Sequence, residues 1–353
     1  MKCKLFKFSF KAILMAVAVT FAAGLVFTAC NNDDDDPVPG NNTALKALIV
    51  EAQELHDNAV EGTSVGFYEV GSKAELQTAI DASQKVVGNA SSTQEKLDGA
   101  KANLNAAITV FKGKKIQDVS TDGLIAQWLF NGDATDNTGN GFDGTLTKGP
   151  DTWGEGIPVL TADRFGNDNS AYYFDKGGNI EVTYASALNP ASITLSWWIY
   201  MEERANNDYM ISMNHWNCFK VNLQTENKVF FTTKVEDPEN EGEYIWNDRD
   251  HAGDGLEAEK WYYLAVSYGG GHMKFYIDGA LVKDWDNVPD SRIVDISSEP
   301  VNLVFGLEMP LSTYDSPDWD GCFFKGKMDD FRLYNRVLAD QEVSSIYTLE
   351  KPQ

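Results

Sequence analysis

The apolar positions change their period once along the chain. Leu45, Leu48, Ala52, Leu55 and Ala59 recur at steps of three and four, the spacing that lines one face of an α-helix. A second stripe, Leu76, Ile80, Ser83 and Val87, opens on the capping-box pattern Ser72-x-x-Glu75 and stops at Gly88-Asn89. A third, Leu97, Ala100, Leu104, Ile108 and Phe111, opens on Ser92-x-x-Glu95. Three such helices with small residues at their contacts predict a compact bundle over 42–116. From Leu124 the period falls to two. GLIAQWLF, SAYYFD, NIEVTY, SITLSWWIYM, FKVNLQ, KVFFTTKV, KWYYLAVSY, HMKFYIDGALV and VNLVFGL are short aromatic and β-branched runs bounded by Gly, Asn and Asp. They predict an all-β sandwich over 117–353 rather than βαβ units. Asp278-Gly279 between KFYI and ALVKDW predicts a type I′ hairpin, and Leu338–Ile346 a short terminal helix. The fold class expected is multi-domain, a small α-helical bundle followed by an all-β sandwich.

Two stretches carry family resemblances. GFYEVGSKAELQTAIDASQKVVGNASSTQEKLDGAKANLNAAI resembles the FIVAR-type modules of bacterial surface proteins, which implies a spacer beside carbohydrate-active domains. Tyr68, in the long first connection, is read as a ring that packs its loop onto the bundle, with sugar stacking as the alternative. AQWLFNGDATDNTGNGFDGTL, ITLSWWIYM, WYYLAVSYGGGHMKFYIDGALV and FKGKMDDFRLYNRVLADQEV resemble, in order and spacing, the LamG-like, concanavalin A-like jelly roll. The resemblance implies two curved antiparallel sheets, often with one structural calcium.

The N-terminus reads as an address. Lys2, Lys4, Lys7 and Lys11 precede an uncharged apolar run from Ala12 to Ala29, the pattern of a secretory signal over 1–29. Charges on one side only argue against a retained membrane helix. Phe27-Thr28-Ala29-Cys30 resembles the bacterial lipobox, apart from its first residue, which implies cleavage before Cys30 and lipidation of its sulfur. Asp33 to Asp36 with Pro37 and Pro39 then form a solvated linker over 30–41. No histidine or second acidic cluster accompanies them, so they do not read as a metal site. An acidic run after a lipidated cysteine resembles the surface-export signal of glycan-degrading Gram-negative gut bacteria, implying an anchor in the outer membrane, an outward face and other glycan-uptake surface proteins as partners.

Charge narrows the function classes. The 353 residues carry a formal charge of −24, and loss of the leader's four lysines, with no acid, takes it to −28. Such a surface excludes recognition of a nucleic-acid backbone. Cys218 and Cys322 are left uncommitted once Cys3 is removed and Cys30 is lipidated. In an exported chain they are disulfide candidates, and buried free thiols are the alternative.

Three carboxylates are candidate calcium ligands. Asp133 and Asp136 sit in the Gly-rich turn NGDATDNTGNGFDG. Asp329 shares strand parity with Phe331 and Leu333 and so is expected to point inward, where a carboxylate needs a cation or a partner. The other reading has Asp136 capping its turn and Asp329 accepting backbone hydrogen bonds.

No strand carries the alternating carboxylates that give a glycosidase its acid and nucleophile. EDPENEGEYIWNDRD is rich in acids, but its Pro, Gly and Asn mark it as an insertion loop. Nucleophile and HExxH signatures are absent, and GGGH near Gly269 reads as a hairpin turn. Binding is better supported than catalysis. Sugars are held by aromatic platforms and by polar side chains for their hydroxyls, and the long insertions supply both: Tyr209, His215 and Trp216; Tyr244, Trp246 and Asp248; Tyr314, Trp319 and Asp320. Trp128, Trp197 and Trp261 are expected to fill the sandwich, with Trp198 on the opposite sheet face. The expected function is non-catalytic glycan binding. A protein-binding adhesin module and a divergent glycoside hydrolase are the alternatives.

Overall fold

A computed structural model describes residues 39–203, 205, 207–313 and 323–352. The signal segment, Cys30, the acidic linker up to residue 38, Tyr314, Trp319, Asp320 and Cys322 lie outside the described residues.

Three helices open the chain: α1 (Thr43–Asn58), α2 (Ser72–Gly88) and α3 (Gln94–Gly113). The predicted stripes meet in one core of Leu45, Leu48, Ala52, Leu76, Ile80, Leu97, Leu104, Ile108 and Phe111. The caps differ from expectation. Ser72 is the first helical residue, behind Gly71 in the left-handed region (φ 95°), and its hydroxyl donates to Glu61. Glu61 also accepts the Lys73 N–H at 2.7 Å, so a loop carboxylate occupies the cap role. Thr93 rather than Ser92 caps α3, accepting from the Lys96 N–H. Ser92 instead donates to the Val86 carbonyl at 2.7 Å. In both places a tertiary partner took the serine that local pattern had assigned to the cap.

Tyr68 packs its loop onto the bundle. Its ring stacks on Phe111 at 4.4 Å and 14°, and its backbone bridges to Glu61 and Lys115. Tyr68→Ala is expected to cost the helical module about 1–2 kcal/mol, the stacked pair plus part of the buried ring. Amide hydrogen exchange should show residues 60–69 exchanging faster while α2 keeps its protection.

The β-rich part contains β1 (Leu124–Trp128), β2 (Gly144–Thr147), β3 (Val159–Thr161), β4 (Ala171–Phe174), β5 (Asn179–Val182), β6 (Ile193–Met201), β7 (Asp208–Met213), β8 (Phe219–Gln224), β9 (Lys228–Glu236), β10 (Tyr244–Asp250), β11 (Trp261–Gly269), β12 (His272–Ile277), β13 (Ala280–Trp285), β14 (Leu303–Phe305) and β15 (Gly326–Tyr334), closed by α4 (Asp340–Glu350). An eight-stranded sheet runs β13-β12-β11-β6-β15-β4-β3, with β1 also paired to β15, and a seven-stranded sheet runs β10-β9-β8-β7-β14-β5-β2. All the strand pairs are antiparallel. The two sheets enclose one core that includes Trp128, Trp197, Phe219, Phe231, Phe305 and Phe331. Asp278 and Gly279 both have positive φ, 50° and 75°, as a type I′ turn requires.

The outer face of the eight-stranded sheet is covered. Trp198, Tyr263, Tyr276 and Tyr334 pack there against Leu338, Val343 and Ile346 of the C-terminal segment. Trp261, expected inside the sandwich, belongs to this outer cluster, because it pairs with Tyr200 while its neighbour Tyr262 takes the inward position. Beneath the end of α4 lies a buried ionic network. Arg164 contacts Asp329 at 2.5 Å and Asp330 at 2.6 Å, and Arg332 contacts Glu350 at 2.5 Å.

This network corrects the inward placement of Asp329. A β-bulge falls between Asp329 and Arg332, with Asp330 in the left-handed region (φ 48°). The extra residue resets parity: Met328, Phe331 and Leu333 enter the core, and Asp329 turns outward to Arg164. Cys218 is a buried thiol, and Cys322, its candidate disulfide partner, lies outside the described residues. The Cys218 sulfur lies 3.3 Å from the Asn189 amide nitrogen inside the core, and burial pushes the thiol's pKa well above its ordinary value. Phe323 bridges to Tyr209.

Candidate functional site

With α4 over one sheet, chemistry concentrates on the outer face of the other. Register places the residues. In β8 Phe219, Val221 and Leu223 enter the core, so Lys220 and Asn222 face outward. Pairing aligns Ser212, Lys220, Thr232 and Asp248 in one row across four strands. A second row aligns Tyr209, Asn222 and Phe230, and Trp246 stands opposite Lys234. The segment expected as an insertion loop is therefore partly strand β10. Its odd polarity follows from its position at the sheet edge, where one side of the strand stays wet and charge discourages further pairing.

The expected residues fall into a buried and an exposed group. His215 lies in a 3-10 turn after β7, and both Asn214 and His215 have left-handed backbone (φ 51° and 49°). Neither is glycine, so the turn stores local strain. His215 Nε2 lies 2.7 Å from Glu308 Oε1 and 2.9 Å from the Tyr209 hydroxyl. Burial lowers the His215 pKa against the opposing pull of Glu308. Beside it Lys220, 1% exposed, donates to Asn222 Oδ1 at 2.8 Å. Its Nζ stands 3.9 Å from the Trp216 ring and 5.0 Å from that of Tyr209, which offsets part of the cost of burying an ammonium. Asp248 accepts from the Thr232 hydroxyl at 2.7 Å.

The exposed group consists of three rings. Trp216, Tyr244 and Trp246 are 38%, 42% and 46% exposed, unlike the buried Tyr209. The Trp246 indole N–H donates to the Trp216 carbonyl at 2.8 Å, tying the edge strand to the His215 turn. Lys234 Nζ lies 4.4 Å from the Tyr244 ring and 5.0 Å from the Trp246 ring. The result is an aromatic ledge on the sheet edge, with lysines against its rings and the buried Tyr209–His215–Glu308 cluster behind it. The loop pattern pointed to five of these residues. Lys220, Asn222 and Lys234 were readable from strand alternation, whereas Glu308 left no signal in VFGLEMP.

The three calcium candidates do not form one ligand set. Asp136 accepts from the N–H groups of Gln127 (3.1 Å), Thr138 (3.0 Å) and Phe142 (3.2 Å) and from the Thr138 hydroxyl. Burial pushes its pKa up, but these donors outweigh it and hold the carboxylate below its ordinary range. Asp133 closes its own turn through the Thr135 N–H, and Asp329 belongs to Arg164. The early turn does approach the last strand, since Gln127 pairs with Arg332. Its carboxylates are nevertheless committed to donors, and among the described residues no group of three acidic, histidine or cysteine side chains converges. These residues do not fit a calcium site.

Comparison with known proteins gives the domain a family. Residues 174–344 match the Laminin_G_3 family, described as the concanavalin A-like lectin/glucanases superfamily. A gellan lyase of a Bacillus species is 44% identical over 75 residues, 21% of this chain and 3% of that protein. The surface-layer 125 kDa protein of Lysinibacillus sphaericus is 33% identical over 146 residues, 41% of this chain and 11% of that protein. The chain thus spans only a small part of the curated relatives it matches. Among solved structures, domain 4 of the arabinanase AbnA from Geobacillus stearothermophilus, in complex with arabinotriose, covers 64% of this chain and 98% of its own at 21% identity and TM-score 0.46. A botulinum neurotoxin type C structure, from work in which that toxin's cell entry depends on two ganglioside molecules, covers 64% of this chain and 50% of its own at 16% identity and TM-score 0.43. Residues 174–344 are a Laminin_G_3 domain of the concanavalin A-like lectin/glucanase fold, preceded by an N-terminal helical module.

Proposed function

We propose that this protein binds carbohydrate without transforming it, on the outer face of the seven-stranded sheet, as a lipid-anchored protein of the outer bacterial surface. The observation that carries the reading is the ledge of Trp216, Trp246 and Tyr244. Three exposed rings on one sheet edge, fixed by an indole hydrogen bond, offer flat apolar faces for sugar rings. Lys234 and Asp248 stand within the same strands to meet hydroxyls. Such a rigid ledge needs little ordering on binding, which favours affinity from a modest contact. The family's name, concanavalin A-like lectin/glucanases, fits this use, and a stretch shared with a gellan lyase fits a module found among polysaccharide-handling proteins. Cys30 and the aspartates after it supply the anchor and the outward address.

Affinity electrophoresis through gels cast with arabinan, xylan, laminarin, starch or mucin tests the reading. Retention by at least one gel is expected. Trp246→Ala and Trp216→Ala should each weaken retention roughly tenfold, about 1.4 kcal/mol, in protein that circular dichroism shows to be still folded. Passage of the wild-type chain through every gel without retardation would overturn the proposal. For the anchor, Cys30→Ala should release the protein from the membrane fraction of the native host.

A further inference from the structure

The segment that leaves α3 is docked on the C-terminal segment of the sandwich. The Gln341 side-chain amide donates to the Lys115 carbonyl at 2.6 Å, and the Gln117 N–H donates to the Ser345 hydroxyl at 2.9 Å. Where the two modules meet they line a half-open cavity of about 260 Å³, walled by Gly62, Thr63, Glu69 and Val70 of the helical module and by Asp278–Ala280, α4 and Lys351 of the sandwich.

Each wall is held in place. The helical-module loop is pinned by the Tyr68–Phe111 stack and by the Glu69 N–H donating to the Lys114 carbonyl at 3.0 Å. The β12–β13 turn is pinned by Asp278, whose carboxylate accepts the Tyr263 N–H at 3.0 Å and whose own N–H donates to the Tyr263 carbonyl. The α4 wall is pinned by Glu350 in the buried ionic network. A pre-formed cavity at a module junction is where small ligands are commonly taken.

We infer that this junction is a second binding site, distinct from the aromatic ledge, that takes a single neutral sugar residue. Its size lies below the roughly 300 Å³ at which pockets for drug-sized ligands begin, which suits a single ring. The lining combines hydroxyls of Thr63, Ser344 and Thr348, carboxylates of Glu69 and Asp278, and the Tyr347 ring. Hydroxyls and carboxylates satisfy a sugar's hydroxyls, and the ring meets an apolar sugar face. Two carboxylates against the one Lys351 ammonium disfavour an anionic ligand.

Saturation-transfer NMR on the whole chain tests this with methyl glycosides of glucose, galactose and arabinose at millimolar concentration. At least one is expected to receive magnetisation from the protein. Val70 is 76% exposed and Ala280 is exposed at the rim, so Val70→Trp and Ala280→Trp narrow the cavity without entering a core. Each should weaken the signal by about tenfold or more, with melting temperature and polysaccharide retention in gels unchanged. The Trp216→Ala/Trp246→Ala double variant should keep the glycoside signal while losing retention, which separates this site from the ledge. No transfer to any of the three glycosides, or transfer lost in the ledge variant and kept in both rim variants, would overturn the inference.

Discussion

Replacing Arg164 with methionine is expected to destabilise the sandwich by about 3–5 kcal/mol at neutral pH, because it leaves the buried Asp329 and the half-buried Asp330 without their cation. Arg164 donates to Asp329 at 2.5 Å, to Asp330 at 2.6 Å and to the Glu350 carbonyl at 2.9 Å. Its guanidinium also lies 4.6 Å from the Trp198 ring. Three acids, Asp329, Asp330 and Glu350, thus share two arginines, Arg164 and Arg332. Burial, then the neighbouring Asp330 charge, pushes the Asp329 pKa up to about 8 even with Arg164 in place. Burial likewise raises that of Glu350.

The sign of the pH dependence follows. An acid with a raised folded-state pKa contributes its stability fully below its ordinary value of 3.8 and loses it as pH rises toward about 8. The wild-type chain should therefore lose stability from this site between about pH 4 and pH 8. The Arg164→Met variant should lose more over the same window, so the gap between the two proteins narrows in acid. Urea unfolding at both ends of the window measures it. Equal midpoints for the two proteins at the alkaline end would show that the network contributes nothing.

Trp128→Ala should cost a further class of stability, about 3–5 kcal/mol, through an unfilled cavity and a lost hydrogen bond. Trp128 is fully buried, its indole N–H donates to the Phe142 carbonyl at 2.8 Å, and its ring meets Phe305 edge-on at 5.0 Å. It stands on β1, upstream of residue 174, where the family match begins. Yet β1 pairs with β15, β2 with β5 and β3 with β4, so the early strands complete both sheets. Trp261→Ala, in the partly buried outer cluster, is the comparison and should cost markedly less. Comparable losses of melting temperature for the two would mean that β1 is peripheral to the folding unit.

Helix stripes and strand alternation were legible because each is set by which side of a local backbone repeat faces the core. Trp197 and Trp198 went to opposite faces as alternation required, and Tyr68 packed onto Phe111. The failures share one cause. Ser72 lost its cap role to Glu61, eleven residues away, a partner that local pattern cannot weigh, and Ser92 lost its own to the adjacent Thr93 once its hydroxyl was taken by the Val86 carbonyl. Asp329 changed sides because one bulge residue reset the count. Tyr244–Asp250 read as loop because an edge strand keeps polar side chains. The aromatic ledge was legible in part: Trp216, Tyr244 and Trp246 were candidates as loop aromatics, but only pairing brought Trp246 against Trp216.

The sequence by itself determined the two kinds of module, the helical stripes, most strands and the formal charge, since each depends on local period or on a sum over residues. Tertiary structure alone decided that Cys218 is a buried thiol, that Asp136 is filled by N–H donors and Asp329 by Arg164, that α4 seals one sheet, and that the opposite sheet carries the exposed rings. Those outcomes depend on which distant groups compete for one side chain, and distance along the chain carries no record of that competition.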